Sequence, residues 1–429
     1  MIRLSLTLAA LAVCNAVVAM LMPWYVVTRM GMGIQTDAFF ASGALSQLIF
    51  LVVSFSLTQV IVPLLATEDE KTFQRDAWGL FLAILGAFVL LSAGLFVTAP
   101  YWVSLIVPGF SAEALRLTVT LSRIQLLGMI GNALVPVLWS VYYARQRFLW
   151  AEVSSVIANA VALLFLYWTL ARYGIVAAAW ATVLNLGLKV GLLMPILGRW
   201  QKPDWNSYAI KEAWRRIKPF ILGQTYAKSE PLIDRFLTSL TTAGSLSLLY
   251  FGQQIYSAVN LVMVKAVSTP TAPRLAIAAK SRDWRSFRHV YRERLIWIFV
   301  IAIAGSSVLF LIGEPVLRLM IGHGGITTQN VHMLWWIMVA LAGLLIGGTA
   351  GQMISTAFYA IGDTRTPTML FIGTYTVYVP LKILVFLHYG VIGIAVATSI
   401  HMTVNFLVQL FVLEWTIMRN RTSTVAAAI

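Results

Sequence analysis

The sequence predicts an all-α polytopic membrane protein of about twelve transmembrane helices, in two six-helix bundles related by a parallel internal repeat. Three observations predict it. Hydrophobic residues make up 59% of the 429 and charged residues only 11%, where a soluble domain carries about 25% charged residues. The apolar residues gather in runs of about 17–25, the length that spans a bilayer as a helix. The bases then fall unevenly on alternate connections, as they do when Lys and Arg are retained on the cytoplasmic side.

The spans are expected near 4–27, 38–66, 78–107, 115–143, 149–171, 174–198, 217–241, 244–271, 290–315, 332–360, 367–387 and 390–418. Little chain remains outside them, so any enzyme domain would have to be very small. The net charge of +15 is read as a cytoplasmic excess of bases, because their distribution follows the loops and forms no nucleic-acid-binding stripe.

The first residues imitate a signal peptide, but the apolar run continues to about Val27, too long for a typical signal core. It is read as a retained first helix. Cys14 is the only cysteine, so neither an intrachain disulfide nor a cysteine-rich metal site is expected. With the N-terminus inside, the inner connections hold Arg3, Lys71, Arg75, Arg145, Arg147, six bases from Arg199 to Lys218, seven from Arg274 to Arg294, Arg365, Arg419 and Arg421. The outer ones hold only Arg29, Arg116, Arg172 and Arg318. Both termini are therefore expected in the cytoplasm of a bacterial-type inner membrane.

The first outer connection reads RMGMGIQTDAFF, residues 29–40. Arg29, Gly31, Gly33 and Asp37 are expected to form an outer gate, with the glycines letting two helices splay and Asp37 hydrogen-bonding the closed state. The alternative is a helix N-cap by Thr36 or Asp37. The inner segment 274–294 mixes Trp284, Phe287, Val290 and Tyr291 with its bases. It is expected at the headgroup surface, or else as a solvated loop.

The halves resemble each other. YGIVAAAWAT (173–182) matches YGVIGIAVAT (389–398), and Tyr143-Ala144 matches Tyr359-Ala360, both at an offset of 216. VPLLA (62–66) matches APRLA (272–276) at 210. The order of these matches predicts a bundle at 1–200, a cytoplasmic linker at 201–216 and a second bundle at 217–429. An even number of helices per unit makes the copies parallel, and transporters built this way bind substrate where the halves meet.

Charges inside a bilayer cost at least about 2.5–3.5 kcal/mol each on insertion scales, so they face a cavity or a partner. The seventh span, GQTYAKSEPLIDRF (223–236), carries four. On a continuous helix Lys228 and Arg235 share one face, Glu230 and Asp234 another. Pro231 is expected to kink it. The cationic face suits an anionic substrate, and the acidic face a proton or sodium ion as coupling ion. Interhelical ion pairs are the alternative. Arg123, Lys189, Lys265 and Lys382 are further intramembrane bases. Gln253, Gln254 and Asn260 of the eighth span are expected to hydrogen-bond sugars or neighbouring helices. His388 and His401 are read as packed or interfacial, since neither has a second metal ligand at suitable spacing. The sequence contains no Walker A, HExxH or CxxC motif, so no cofactor is expected and an ATP-driven pump is disfavoured.

With these residues in view, the sequence resembles the MviN/MurJ-type lipid II flippases of the multidrug, oligosaccharidyl-lipid and polysaccharide exporter superfamily. GMGIQTDAFF (31–40), IVPLLA (61–66), VPGF (107–110), KPFILG (218–223), LIDRFLTSLTTAGSLSLLYFGQQI (232–255), TPTAPRLA (269–276) and FYAIGDTRTP (358–367) carry the resemblance, from about residue 15 to 415. It implies a V-shaped pair of six-helix bundles that moves a polyprenyl-diphosphate-linked saccharide from the inner to the outer leaflet. The family commonly has fourteen helices, so the last pair and their lipid-tail groove are expected to be absent from this twelve-helix sequence.

The family pattern places arginines in the first, second and eighth helices. Here those stretches are NAVVAMLMPW (15–24), GALSQLIFL (43–51) and Gln253-Gln254. Lys228, Arg235, Lys265 and Arg123 are the candidates to replace them at the diphosphate. Arg29 and Asp37 carry over, as does the acid at Asp234. Lys382, about one turn from Tyr378, is expected to serve Asp234 as a tethered cation in place of sodium, with Glu230 the rival partner.

The leading functional expectation is thus a non-enzymatic flippase for an exopolysaccharide unit or a lipid II-like peptidoglycan precursor, working by alternating access. Its partners would be the lipid-linked glycan, the bilayer and glycan-synthesis enzymes, with no nucleic acid. The alternatives are a drug or cation antiporter of the same superfamily and a non-transporting membrane scaffold for glycan synthesis.

Overall fold

A computed structural model describes residues 2–66 and 69–426. Its helices are α1 (Ile2–Met30), α2 (Ile34–Ser42), α3 (Ala44–Leu65), α4 (Glu70–Val97), α5 (Ala99–Ile106), α6 (Ala112–Ala144), α7 (Phe148–Tyr173), α8 (Ile175–Leu193), α9 (Tyr208–Ala227) and α10 (Glu230–Ser239). They continue with α11 (Ser245–Met263), α12 (Thr269–Lys280), α13 (Trp284–Ile321), α14 (Thr328–Ala340), α15 (Ala342–Ala360) and α16 (Arg365–Ala426). Each of the twelve expected spans contains a helix or a broken pair of helices. The protein is an all-α polytopic membrane protein.

The breaks have local causes. Pro100 and Pro231 stand in the first turns of α5 and α10, where a missing N–H costs nothing but the preceding helix cannot run through. A wider turn at Val264–Ser268 separates α11 from α12. The long α16 is two helices joined at Gly390, whose φ of 57° and ψ of −138° are non-helical. Among the described residues nine stretches are long and apolar enough to cross a membrane, and one of them, Arg365–Arg419, holds both halves of α16. The seventh and eighth spans fall outside the nine, since one is polar and broken at Lys228-Ser229 and the other is interrupted by the wide turn.

By internal packing the chain divides into two compact units, Met1–Ser247 and Leu248–Ile429. In the first, α6 is the central helix, packed against α2, α3, α4 and α8, while α1 lies on α7. Helix α9 packs on α3, and α10 on α3 and α5. Packing therefore keeps α9 and α10 with the first unit, whereas sequence repetition draws its boundary at 216/217. A row of amides ties three helices of this unit. Asn185 donates to Asn159 at 2.5 Å and Asn159 to Asn15 at 2.7 Å. Buried amides satisfied this way hold neighbouring helices in register.

In the second unit α15 packs on α16 and α13, and α13 on α12 and α14. The basic segment 274–294 forms the end of α12 and the start of α13, joined by an exposed turn at 281–283. Phe287 and Tyr291 are buried, and Glu414 of α16 pairs with Arg288 at 2.5 Å and Arg292 at 2.7 Å while accepting from the Tyr291 hydroxyl. Its aromatic side is committed to packing and its outward bases, such as Arg285, remain exposed.

The repeat extends into turn geometry. Gly174, before α8, has φ 57° and ψ −148°, nearly the values of Gly390, 216 residues on. Gln146 and Gly362, also 216 apart, both take positive φ (55° and 85°) just past the ends of α6 and α15. Ser111 and Thr327, again 216 apart, cap α6 and α14 by accepting from the N–H three residues on. Asp69 and Asp283 do the same for α4 and α13. Such agreement at turns, where sequence is weakly constrained, is what duplication of one six-helix unit leaves behind.

Candidate functional site

Three turns that stood out in the sequence meet in the first unit: GMG at 31–33, VPGF at 107–110 and TTAGS at 241–245. The bend after α1 is made by Gly31, whose φ of 76° favours glycine. Gly33 has φ −172°, extended backbone open to any residue. Thr36 closes the first turn of α2, accepting from the Gly33 N–H and donating to the Gly33 carbonyl, both at 3.0 Å.

Asp37 is therefore free for another task. It is buried, and its carboxylate accepts from the Gly244 N–H at 2.6 Å, the Ser247 N–H at 2.8 Å and the Ser247 hydroxyl at 2.5 Å. A helix leaves its first N–H groups without partners, and the residue before it commonly supplies the cap. Before α11 that residue is Gly244, which has no side chain. Asp37 caps the first turn of α11 from 207 positions away, with its charge at the favourable end of the helix dipole.

The VPGF turn locks onto the same region. Gly109 donates to the Ser239 hydroxyl at 3.3 Å, and a Cβ on Gly109 would stand 2.2 Å from the Ser239 carbonyl oxygen. Only glycine fits that approach. Between these turns lies a cavity of about 200 Å3, walled by Asp37, Ser111, Thr238, Ser239, Thr241 and Thr242, with Ile34 and Phe110 on its apolar side.

Next to this region Arg235 is buried, at 5% exposure. Its guanidinium donates to the Phe40 carbonyl at 3.1 Å, the Pro231 carbonyl at 2.9 Å and Gln47 Oε1 at 2.8 Å. The fork thus joins α10 to α2 and α3. Asp234 is also buried, and Glu230, in the first turn of α10, is half-buried. Lys228 ends α9 and is exposed. The helix breaks between Lys228 and Arg235, so the shared face expected on a continuous helix does not form: the break resets the angular count and leaves one base exposed and the other buried.

The remaining expected residues are spread through the fold. Arg29 is exposed and lies 5.5 Å from the Tyr25 ring. Arg123 is half-buried, donating to the Phe96 carbonyl at 3.3 Å with its guanidinium 5.2 Å from the Phe96 ring, where it meets the carbonyl end of α4. Gln253 and Gln254 are half-buried on α11, and Asn260 accepts from Thr349 at 2.8 Å. The Lys265 side chain lies outside the described residues. Lys382 belongs to the second unit and is fully buried, its amine 5.0 Å from the Tyr378 ring. Tyr378 hydrogen-bonds Thr398 at 2.8 Å and stacks on His401, with ring centres 4.3 Å apart. Thr374 adds a bond to Asn405 at 3.2 Å. The His401 contact was not legible in sequence, since its partner lies on the other side of Gly390.

Comparison with known proteins decides the family. The profile described as "Lipid II flippase MurJ" matches residues 26–427. The chain belongs to the MurJ lipid II flippase family. MurJ proteins are transporters, so the chain is not an enzyme. A relative from Buchnera aphidicola subsp. Acyrthosiphon pisum, named "Probable lipid II flippase MurJ", is 22% identical over 395 residues, covering 88% of this chain and 76% of that protein. One of the same name from Rhizobium meliloti is 25% identical over 393 residues, covering 84% and 70%. Among solved structures, MurJ in an inward closed conformation aligns at TM-score 0.83 and 18% identity, over 95% of this chain and 87% of that one. An inward-facing multidrug-resistance MATE transporter aligns at 0.79 and 16% identity, over 97% and 95%. At these identities the structures establish the fold that MurJ shares with the wider exporter superfamily.

Proposed function

We propose that this protein moves a polyprenyl-diphosphate-linked saccharide from the inner to the outer leaflet of a bacterial-type inner membrane by alternating access. The substrate is a lipid II-like peptidoglycan precursor or an exopolysaccharide unit. The observation that carries this reading is the MurJ family match, which runs through nearly the whole chain. The loop charges support termini on the cytoplasmic side, which puts the Asp37 site at the outer mouth.

Physical chemistry supports the rest. A diphosphate-sugar head cannot cross hydrocarbon unaided, because stripping water from charge costs many kcal/mol. Bases at fixed positions replace that hydration while the polyprenyl tail stays in the bilayer. Arg235 and Lys228, with Arg123 and Lys265, are the proposed anionic-head partners, and a guanidinium suits a diphosphate through its forked donors. Gln253 and Gln254 are proposed to serve the sugar. Glu230, Asp234 and Lys382 are proposed to carry the charge changes of a proton or sodium cycle. The hydrogen bonds of Asp37 are proposed to latch the closed outer mouth, with Arg29 and Gly31 at its rim. Enzymes of glycan synthesis are the proposed neighbours that supply the substrate.

The test is reconstitution in liposomes with a fluorescent lipid-linked oligosaccharide, following its protection from an added quencher. Protein-dependent exposure of the label is the expected result. Transport of organic cations with no movement of the lipid would favour an antiporter instead, and movement of neither would favour a scaffold.

A further inference from the structure

We infer that the cavity beside Asp37 is a subsite for a single sugar ring; this rests on the flippase reading and adds to it a separate place for the saccharide. Five of the residues lining it carry hydroxyls, and three of these donate their protons to backbone carbonyls. Thr238 donates to the Asp234 carbonyl at 2.6 Å, Ser239 to the Phe236 carbonyl at 2.8 Å, and Thr241 to the Thr238 carbonyl at 2.6 Å. Thr242 and Ser245 share a bond at 3.1 Å. A hydroxyl has one proton and two lone pairs, so Thr238, Thr241 and, with the lone pair that Gly109 leaves it, Ser239 present acceptors to the space beside them, whereas Ser111 accepts from the Ala114 N–H. The Asp37 carboxylate, on the same wall, adds negative charge.

Such a wall selects for donors. A phosphate or carboxylate brings only acceptors at neutral pH and is repelled, so the diphosphate of a lipid-linked glycan is not the occupant. A sugar ring brings O–H donors around its whole rim, matching acceptors that come from α10, the turn after it and Asp37. An ammonium ion concentrates its donors at one point and leaves most of these acceptors unused. Phe110 and Ile34 are among its apolar lining, and an aromatic face is a surface on which the C–H side of a pyranose packs. The cavity separates the saccharide from its diphosphate, which requires base and not acceptors.

Cys14 is the only native cysteine, which makes the site open to a labelling test. In a Cys14→Ser background, Thr242→Cys and, as control, His323→Cys are reconstituted in liposomes and alkylated with a maleimide. Both positions are exposed. N-acetylglucosamine or methyl glucoside at about twice its Kd is expected to slow labelling at 242 about threefold, from simple occupancy, and to leave 323 unchanged. Absence of protection, equal protection at both positions, or protection by ethylammonium alone would overturn the assignment. In a second arm, Ala243→Phe, at another of the lining residues, narrows the cavity. Flipping of a saccharide-bearing polyprenyl diphosphate is expected to fall about fivefold, the equivalent of about one lost hydrogen bond, with the sugar-free lipid moving at the unmodified rate. Equal slowing of both lipids, or of neither, would overturn it. If the unmodified protein moves no lipid, the flippase reading falls, and the labelling arm still decides the subsite.

Discussion

Asp37 and Ser247 are joined twice: one carboxylate oxygen receives both the backbone N–H and the side-chain hydroxyl of Ser247. The same carboxylate takes the Gly244 N–H. Replacing Asp37 by Ala leaves two buried N–H groups unmet, a loss on the order of 3 kcal/mol. Ser247→Ala removes one bond of the three and should cost about 1 kcal/mol. Asp37→Asn keeps one acceptor but turns donors toward Gly244, so it should fall between them. Denaturant titration in detergent checks this order, and if the latch gates transport, Asp37→Ala should lower flipping further than its loss of folded protein explains.

Gly109→Ala tests the approach of the VPGF turn to α10. The new Cβ would lie 2.2 Å from the Ser239 carbonyl oxygen, a backbone atom that cannot rotate aside. Overpacking of this kind costs about 1–3 kcal/mol. A lowered thermal midpoint in detergent is expected; an unchanged midpoint would mean that the two turns do not press together in the membrane.

Arg235 and Lys228 differ in burial, and their substitutions should differ accordingly. Arg235→Lys loses the three-way fork and should destabilise by about 1–2 kcal/mol, whereas Lys228→Ala, at an exposed position, should change stability by less than about 0.5 kcal/mol. The double alanine variant should abolish flipping at normal protein level. Retained flipping at normal level would remove both bases from the anionic-head assignment.

Glu212, near the start of α9, gives a pH-dependent contribution. Hydrogen bonds from Arg215 and then Arg216, at 2.7 and 2.6 Å, hold its carboxyl below the usual range. A carboxyl depressed on folding stabilises the protein above its unfolded pKa, and that stability is lost as pH falls through the folded value. Stability should therefore decline below the ordinary glutamate range, and Glu212→Gln should flatten that part of the curve. Because Arg215 is 77% exposed, added salt should shrink the effect. A slope identical in the Gln variant would assign the acid limb to other carboxylates.

The spans were legible because a bilayer imposes both a length and an alternation of loop charge, and neither depends on tertiary contacts. The repeat was legible for a related reason: Gly174 and Gly390 need a conformation that few residues supply. The site was less so. The partner of Asp37 lies more than two hundred residues away, and the only local hint is that α11 starts behind Gly244, a residue with nothing to cap it. The shared face of Lys228 and Arg235 failed to form because an angular argument holds only within one helix, and the break precedes the proline that was expected to kink it. Lys382 reads as a charge from its sequence position, yet its aromatic surroundings follow from the fold on either side of Gly390.

The matched turns at 174 and 390 give this molecule an experimental control written into its own chain. A side chain placed at one glycine meets the same backbone demand when placed at the other, in a different sequence context. If the two substitutions cost the same stability but differ in transport, the difference measures how unequally the two copies have come to share the work.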